Sequence, residues 1–315
     1  MGATRSADSQ SASGQSASGQ SASGRGSRGR NVSVEFLAER AKFVRLETLR
    51  LSRIAGAGHY SSTFSAAELF AALYYAHLRI NPAEPKWPDR DRFILSKGHA
   101  AIGLYPILGD LGFFDPKLLD GYTKLGSPFG DHPDMKKIPG IDFSSGSLGH
   151  GLSISLGMAL AGRVQKRDYR VYCMMGDGEL HEGQVWEAAM AAGHYRVQSL
   201  VGIVDRNQLC IDGTTEAVMT VEPIADRFAS FGWDVARIDG HDLTQILASL
   251  DGLKPAGEGK PQLIIADTVK GRGVSWMELS LNWHVGNLVG EDYDDAEAQI
   301  LAGLKPRVLE GSDHG

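Results

Sequence analysis

Long apolar runs are missing from this chain: no stretch approaches the roughly 20 residues that a membrane-spanning helix requires. A 315-residue chain that is 42% hydrophobic and 22% charged reads instead as soluble and globular, with enough apolar surface for one large core. Cysteine is scarce. Cys173 and Cys210 are the only two, both in strand-like contexts, so a disulfide framework is excluded and a reducing compartment, the cytoplasm, is expected. Positive charge is not in excess either. A net charge of −6 gives no electrostatic reason to expect nucleic acid or an anionic membrane as a partner. The N-terminus lacks the apolar segment of a signal peptide. Residues 1–31 are dominated by a near-perfect repeat of QSASG with nothing to bury, and a disordered Ser/Gly/Gln-rich tail is expected there.

What is present begins near Val32, and the expectation is one folded domain over residues 32–310. Apolar residues recur at helical spacing from Val34 to Ile54. A break at Gly56–Tyr60 is followed by a predicted helix from Ser65 to Leu78, with Ser65 as N-cap and Glu68 three residues on. Arg92–Leu95 is a short strand that feeds a helix through Ser96-Lys97-Gly98-His99. Residues 126–147 form a Gly/Pro-rich excursion of the length that is usually functional or disordered. After a helix over 149–164, strands at 170–175, 199–205, 233–238 and 262–268 alternate with helices at 182–194, 223–230 and 242–251, and a surface helix closes the series at 292–304. Such alternation predicts an α/β fold: a doubly wound parallel sheet with helices on both faces.

The chemistry concentrates between Gly176 and Asn207. Asp177 leaves one predicted strand inside a Gly-Asp-Gly turn, and Asn207 leaves the next, with one helix between them. An isolated Gly-Asp-Gly is most often a helix N-cap. A carboxylate and an amide oxygen delivered from neighbouring strand ends are also what a small hard cation needs when it must hold a diphosphate as well. Four histidines lie in small-residue loops: His59, His99, His132 and His284. Imidazole suits both proton transfer at a hydroxyl and stabilisation of oxyanions near neutral pH. His77, His194 and His241 carry no such context and read as solvated or capping residues.

Here the sequence resembles the GDG-(x)n-N motif of thiamine diphosphate enzymes, and within them the transketolase family. GDGELHEGQVWEAA is similar to GDGELQEGxxWEAA, and the resemblance runs from Gly58 to about Asn287 through AGHYSSTFSAAELFAAL, SKGHAAIGLY, SSGSLGHGLSISLGMALA and VKGRGVSWMELSLNWHVG. It implies a thiamine diphosphate-binding fold of the diphosphate-binding type, with thiamine diphosphate and Mg²⁺ as cofactors and Ca²⁺ or Mn²⁺ as alternatives. Asp177, Asn207 and the carbonyl of Leu209 would hold the metal. Gly176, Gly178 and Glu179 would lie at the diphosphate, Gly146 and Leu148 against the cofactor, and Ile211 against the thiazolium. His99 and His284 would approach the diphosphate and the reacting carbon, His59 and His132 the sugar oxygens. Glu182 would belong to a carboxylate network at a subunit interface.

The sequence also departs from the family. His181 stands where Gln is usual, Ser147 and His150 replace Pro and Gln, Tyr60-Ser61-Ser62 follows His59, and Phe129-Gly130-Asp131-His132-Pro133 is unlike the usual TPGHP. Nothing in the chain matches the family's pyrimidine-binding domain. The resemblance therefore implies the diphosphate-binding subunit of a split transketolase, working with a separate C-terminal subunit in an α2β2 assembly on sugars or sugar phosphates. Two readings stand beside it: the α subunit of a 2-oxo acid dehydrogenase or decarboxylase, and a regulatory subunit without catalytic function. Dinucleotide enzymes are disfavoured, because no G-x-G-x-x-G turn stands between a strand and a helix.

Overall fold

Five strands pair edge to edge in the computed structural model, which describes residues 29–257 and 259–304. The strands are β1 (Arg92–Leu95), β2 (Val171–Gly176), β3 (Leu200–Arg206), β4 (Asp234–Asp239) and β5 (Gln262–Asp267). All pairs are parallel, in the order β1-β2-β3-β5-β4. The helices are α1 (Val34–Ala55), α2 (Tyr60–Phe64), α3 (Ala67–Ala71), α4 (Ala101–Asp110), α5 (His150–Val164), α6 (Gly183–His194), α7 (Thr215–Val218), α8 (Ile224–Ser230), α9 (Leu243–Asp251) and α10 (Gly290–Ala302). The expected tail over residues 1–31 falls almost wholly outside the described residues, as do residues 305–310 of the expected domain.

Alternate side chains of each central strand go to opposite faces, and this divides the core in two. Tyr172, Met174, Val201, Ile203 and Ile264 pack with α1, α3, α4 and α9. Val171, Cys173, Met175, Leu200, Val204 and Ile265 pack with α5, α6 and α8. The doubly wound α/β sheet expected from the alternation is thus the fold observed. Only β4 departs from the apolar-run pattern. It lies at the sheet edge, where Ala236 and Arg237 are exposed, and an exposed charge discourages edge-to-edge pairing. A third, smaller cluster joins Leu49, Tyr60, Phe64, Val274, Met277 and the apolar face of α10.

The predicted helix over Ser65–Leu78 needs correction. Helix begins at Tyr60, pauses at Ser65–Ala66, resumes as α3 and ends in a π-helical turn over Ala72–His77. Ser65 is not an N-cap: its hydroxyl donates to Asp205 Oδ2 at 2.6 Å. Glu68 is not half of a capping box. Arg45, buried on α1, grips it through two guanidinium nitrogens at 2.6 and 2.8 Å. His241 faces the same carboxylate at 2.9 Å, and its other nitrogen accepts the Val269 amide at 2.8 Å. The proton therefore sits on Nδ1, towards Glu68, and His241 is a buried tie between two loops rather than a solvated residue. His77 is likewise buried, against the Tyr172 hydroxyl at 2.9 Å. His194, the last residue of α6, is exposed as expected. Local pattern could not show these pairings, because their partners are distant in sequence.

Burial pushes the Glu68 pKa up, but Arg45 and the His241 hydrogen bond outweigh it and bring it down to about 2. A carboxylate held below its unfolded value adds stability that is complete above the ordinary glutamate range and is lost as pH falls towards about 2. Glu68→Ala leaves Arg45 buried without its carboxylate, and a loss of about 3–5 kcal/mol is expected. Urea unfolding of the variant measures it. A change within experimental error would show that Arg45 is satisfied by the Phe64 and Arg272 carbonyls alone.

Candidate active site

Four strands release the chain at the same end of the sheet, and the segments that follow line one cavity of about 360 Å³. β1 leads to Lys97 and His99, β2 to Asp177 and Gly178, β3 to Asn207, Leu209 and Ile211, and β5 to Lys270. The carboxyl ends of parallel strands are where ligands of such folds bind. The loop before α2 adds His59, the excursion over 126–147 adds His132 and Gly146, and the segment before α10 adds His284. Of the residues expected from the sequence, all but one line this cavity. Glu182 does not: it is exposed and sits at the N-cap of α6.

The histidines come from distant parts of the chain and are held by specific devices. Gly58 and Gly286 exchange two backbone hydrogen bonds, at 2.9 and 3.1 Å, and so clamp the His59 loop to the His284 loop. Glycine is required at 58, because a Cβ there would stand 1.9 Å from the Ser52 hydroxyl. The His59 ring centroid lies 5.3 Å from that of His99 and 5.6 Å from that of His284, and His99 and His284 are 5.4 Å apart. His132 is 6.4 Å from His59. Its loop has no regular structure, but Phe129 anchors it against Phe114 and Tyr105, and the Tyr105 hydroxyl donates to the Gly130 carbonyl at 3.0 Å.

Two lysines that the sequence reading did not single out share the cavity wall. Lys97 is buried. Its ammonium donates to the Ser62 carbonyl at 2.7 Å and to Asp205. Asp205 also accepts from Ser65, Thr268 and the Asn207 amide, the last at 3.2 Å. Burial alone would raise the Asp205 pKa, but Lys97 and the hydroxyl donors turn the net direction down, so this hub is ionised. Lys270 donates to the Leu209 carbonyl at 3.2 Å and meets His284 Nδ1 at 2.8 Å. Burial and then Lys97 bring the Lys270 pKa down to about 8, while burial and then Lys270 bring His284 down to about 3. His284 is therefore neutral, with Nδ1 accepting from the lysine and the proton on Nε2. Burial, then Lys97, also holds His99 far below its ordinary value. No signal local to Lys97 or Lys270 separates them from surface lysines; only their place after a strand marks them.

Asp177 is buried at the end of β2, and its backbone amide bonds to the Asp205 carbonyl of β3 at 3.2 Å. Its Oδ1 accepts from Gly178 N at 2.8 Å, and its Oδ2 from Gln208 N at 2.5 Å and Arg206 at 2.8 Å. Arg206 is held in turn by Glu216 and Glu222, each at 3.1 Å. Burial raises the Asp177 pKa and Arg206 opposes that rise. Glu179 uses both carboxylate oxygens to tie Ser96, Gly149 and Gly176 together.

Asp177, Asn207 and the Leu209 carbonyl offer one carboxylate, one amide and one backbone oxygen, a hard all-oxygen set. Among the described residues no group of three or more His, Cys, Asp or Glu forms an alternative metal site. Two observations show room and unmet polarity for a ligand. A Cβ added at Gly146 or Gly176 would meet no heavy atom closer than 3.8 Å, and the buried Ser62 hydroxyl beside the cavity has no hydrogen-bond partner among the described residues. Cys210, expected in a strand, is half-buried in the loop after β3, and both cysteines are free.

Comparison with known proteins gives a consistent result. Residues 38–308 match the model of the family described as "Transketolase, thiamine diphosphate binding domain". The chain is 40% identical over 269 residues to an apulose-4-phosphate transketolase subunit from Phocaeicola vulgatus, covering 85% of this chain and 95% of that protein. It is 40% identical over 264 residues to a 6-deoxy-6-sulfo-D-fructose transketolase subunit from Clostridium sp., covering 84% and 96%. The crystal structure of transketolase from Campylobacter jejuni superposes with a TM-score of 0.80 at 31% identity, covering 85% of this chain and 43% of that one. The chain thus spans nearly all of the two subunit relatives and less than half of the Campylobacter jejuni transketolase chain.

Proposed function

The chain belongs to the transketolase family through its thiamine diphosphate binding domain, and from that premise we propose that it is the metal- and diphosphate-binding subunit of a two-polypeptide transketolase. The reaction is transfer of a two-carbon ketol unit from a ketose to an aldose. The observation that carries this reading is the convergence, on one cavity, of Asp177, Asn207 and Leu209, two lysines and five histidines, the four predicted ones and His181. The near end-to-end match to subunit relatives supports a separate pyrimidine-binding partner, and an α2β2 assembly is the simplest symmetric form. Apolar side chains exposed beside the cavity, Ile211, Val218, Met219 and Val285, support a surface that the partner covers. Phosphorylated and sulfonated ketoses, named in those relatives, define the substrate class to test first.

In this reading Asp177, Asn207 and the Leu209 carbonyl hold Mg²⁺, with Ca²⁺ or Mn²⁺ fitting the same donors. Gly176, Gly178 and Glu179 shape the diphosphate end, Lys97 and Lys270 balance its charge, and Gly146, Leu148 and Ile211 pack against the rings. Bound thiamine diphosphate supplies the carbanion-stabilising centre that the protein's own side chains lack. His99 and His284, both uncharged at neutral pH, act by hydrogen bonding, and His59 and His132 read the sugar hydroxyls. Glu182, exposed at the start of α6, is assigned to the subunit contact. No helix among the described residues is long and apolar enough to cross a membrane. The two free thiols support the cytoplasm as the site of action.

The test is a donor panel on the chain purified alone and together with its partner subunit. Two-carbon transfer from ketoses is expected only with the partner and only with thiamine diphosphate and a divalent cation added. Full activity of the chain alone would overturn the two-polypeptide reading. Turnover of 2-oxo acids in place of ketoses would favour the dehydrogenase-type alternative.

A further inference from the structure

Asp131 occupies a position that neither the metal site nor the diphosphate cradle uses. It lies in the anchored excursion, directly before His132, with its side chain 40% exposed at the edge of the histidine cluster. One carboxylate oxygen stands 3.3 Å from His59 Nδ1 and also accepts the Tyr122 hydroxyl at 3.3 Å. The other lies 3.6 Å from His132 Nδ1. Tyr122 is fully buried, so the carboxylate is steered by a fixed donor. The remaining charged or titratable groups around His59 are His99 and His284, whose rings pack against it, with Lys97 and Lys270 behind them.

We propose that Asp131 is a positioning residue that fixes His59 as its Nδ1–H tautomer, so that His59 Nε2 is a hydrogen-bond acceptor for a hydroxyl of the sugar. The proposal rests on the ketol-transfer reading for the identity of that hydroxyl. The tautomer of His59 rests on the contact with Asp131 and on that group being a carboxylate, and needs no substrate. An ionised carboxylate has no proton to give, so the nitrogen facing it must carry one. Burial raises the Asp131 pKa, but the His59 hydrogen bond and neighbouring charge outweigh it, and the group is a carboxylate at neutral pH. The other ring nitrogen is then left unprotonated in the neutral imidazole. His284 has the opposite polarity, since Lys270 occupies its Nδ1 and leaves the proton on Nε2. With their rings 5.6 Å apart and perpendicular, the two histidines offer one acceptor and one donor. That pairing suits a hydroxyl, which both donates and accepts, and disfavours a substrate lacking one there. A buried acceptor left unpaired is costly, and sites built to bond a hydroxyl reject the deoxy analogue strongly.

The experiment is two-bond ¹H–¹⁵N correlation spectroscopy of the full chain with ¹⁵N-labelled histidine, with His59 assigned by His59→Gln. Wild type is expected to show His59 with Nδ1 protonated. In Asp131→Ala the population shifts to the Nε2–H form, and Asp131→Asn, which keeps an oxygen acceptor, restores Nδ1–H. In the complex with the partner subunit, Asp131→Ala is expected to lower kcat/KM for a ketose by about 10- to 100-fold, with Asp131→Asn recovering most of the loss. An Nε2–H tautomer in wild type, or a tautomer unmoved by Asp131→Ala, would overturn the proposal. So would a moved tautomer with kcat/KM unchanged. The spectra need neither partner nor sugar, so a failure of the ketol-transfer reading would show in the donor panel and leave the tautomer result standing.

Discussion

Asp177→Ala is expected to remove thiamine diphosphate from the assembled enzyme, with metal-dependent cofactor affinity falling on the order of 100-fold or more. The size follows from the donor set. Asn207 and the Leu209 carbonyl are neutral, so Asp177 supplies the only side-chain charge within the proposed three-oxygen donor set. The fold should survive the change, because Arg206 keeps Glu216 and Glu222 when Asp177 is lost. Calorimetric titration with Mg²⁺ and thiamine diphosphate would measure the loss, with the thermal midpoint as control. Wild-type affinity at a wild-type midpoint would remove Asp177 from the metal site.

Lys97→Met should be the most damaging single change to stability near the site. It strands the Asp205 carboxylate, fully buried, with only hydroxyl and amide donors, at a cost of about 3–5 kcal/mol. Asn207 should suffer with it, since its amide nitrogen donates to the same carboxylate and thereby settles which side of the amide carries the oxygen. The decisive comparison is a double-mutant cycle. Lys97→Met with Asp205→Asn removes both charges and should cost less than the two single variants together. Simple additivity of the unfolding free energies would show that the pair is not a unit.

The doubly wound sheet was legible because its signal is periodic: apolar runs at 171–176, 200–206 and 262–267 alternate with amphipathic helices, and both patterns are properties of neighbouring residues. Most of the cavity was legible for a different reason. Gly, Asp, Asn and His at strand ends carry chemistry that motif spacing preserves, and Asp177, Asn207 and the four histidines all reach the same space. What stayed hidden is charge pairing across the fold. Arg45 and Glu68, Lys97 and Asp205, and Asp131 and His59 are 23, 108 and 72 residues apart. The Ser65 misreading has the same origin. A serine three residues before a glutamate looks like a capping box until Asp205, 140 residues later, takes its hydroxyl.

The pairing of Gly58 with Gly286 has a consequence for biosynthesis. Asp177 and Asn207 follow the two strands of a single strand–helix–strand unit and come together as soon as that unit forms. His59 joins His284 only after the intervening chain has left the ribosome, and the closing loop spans most of the described residues. Long-range closures of this kind come late in folding. The Asp177/Asn207 end of the cavity is therefore complete before the His59/His284 end, and until Gly58 meets Gly286 the cavity stands open on that side.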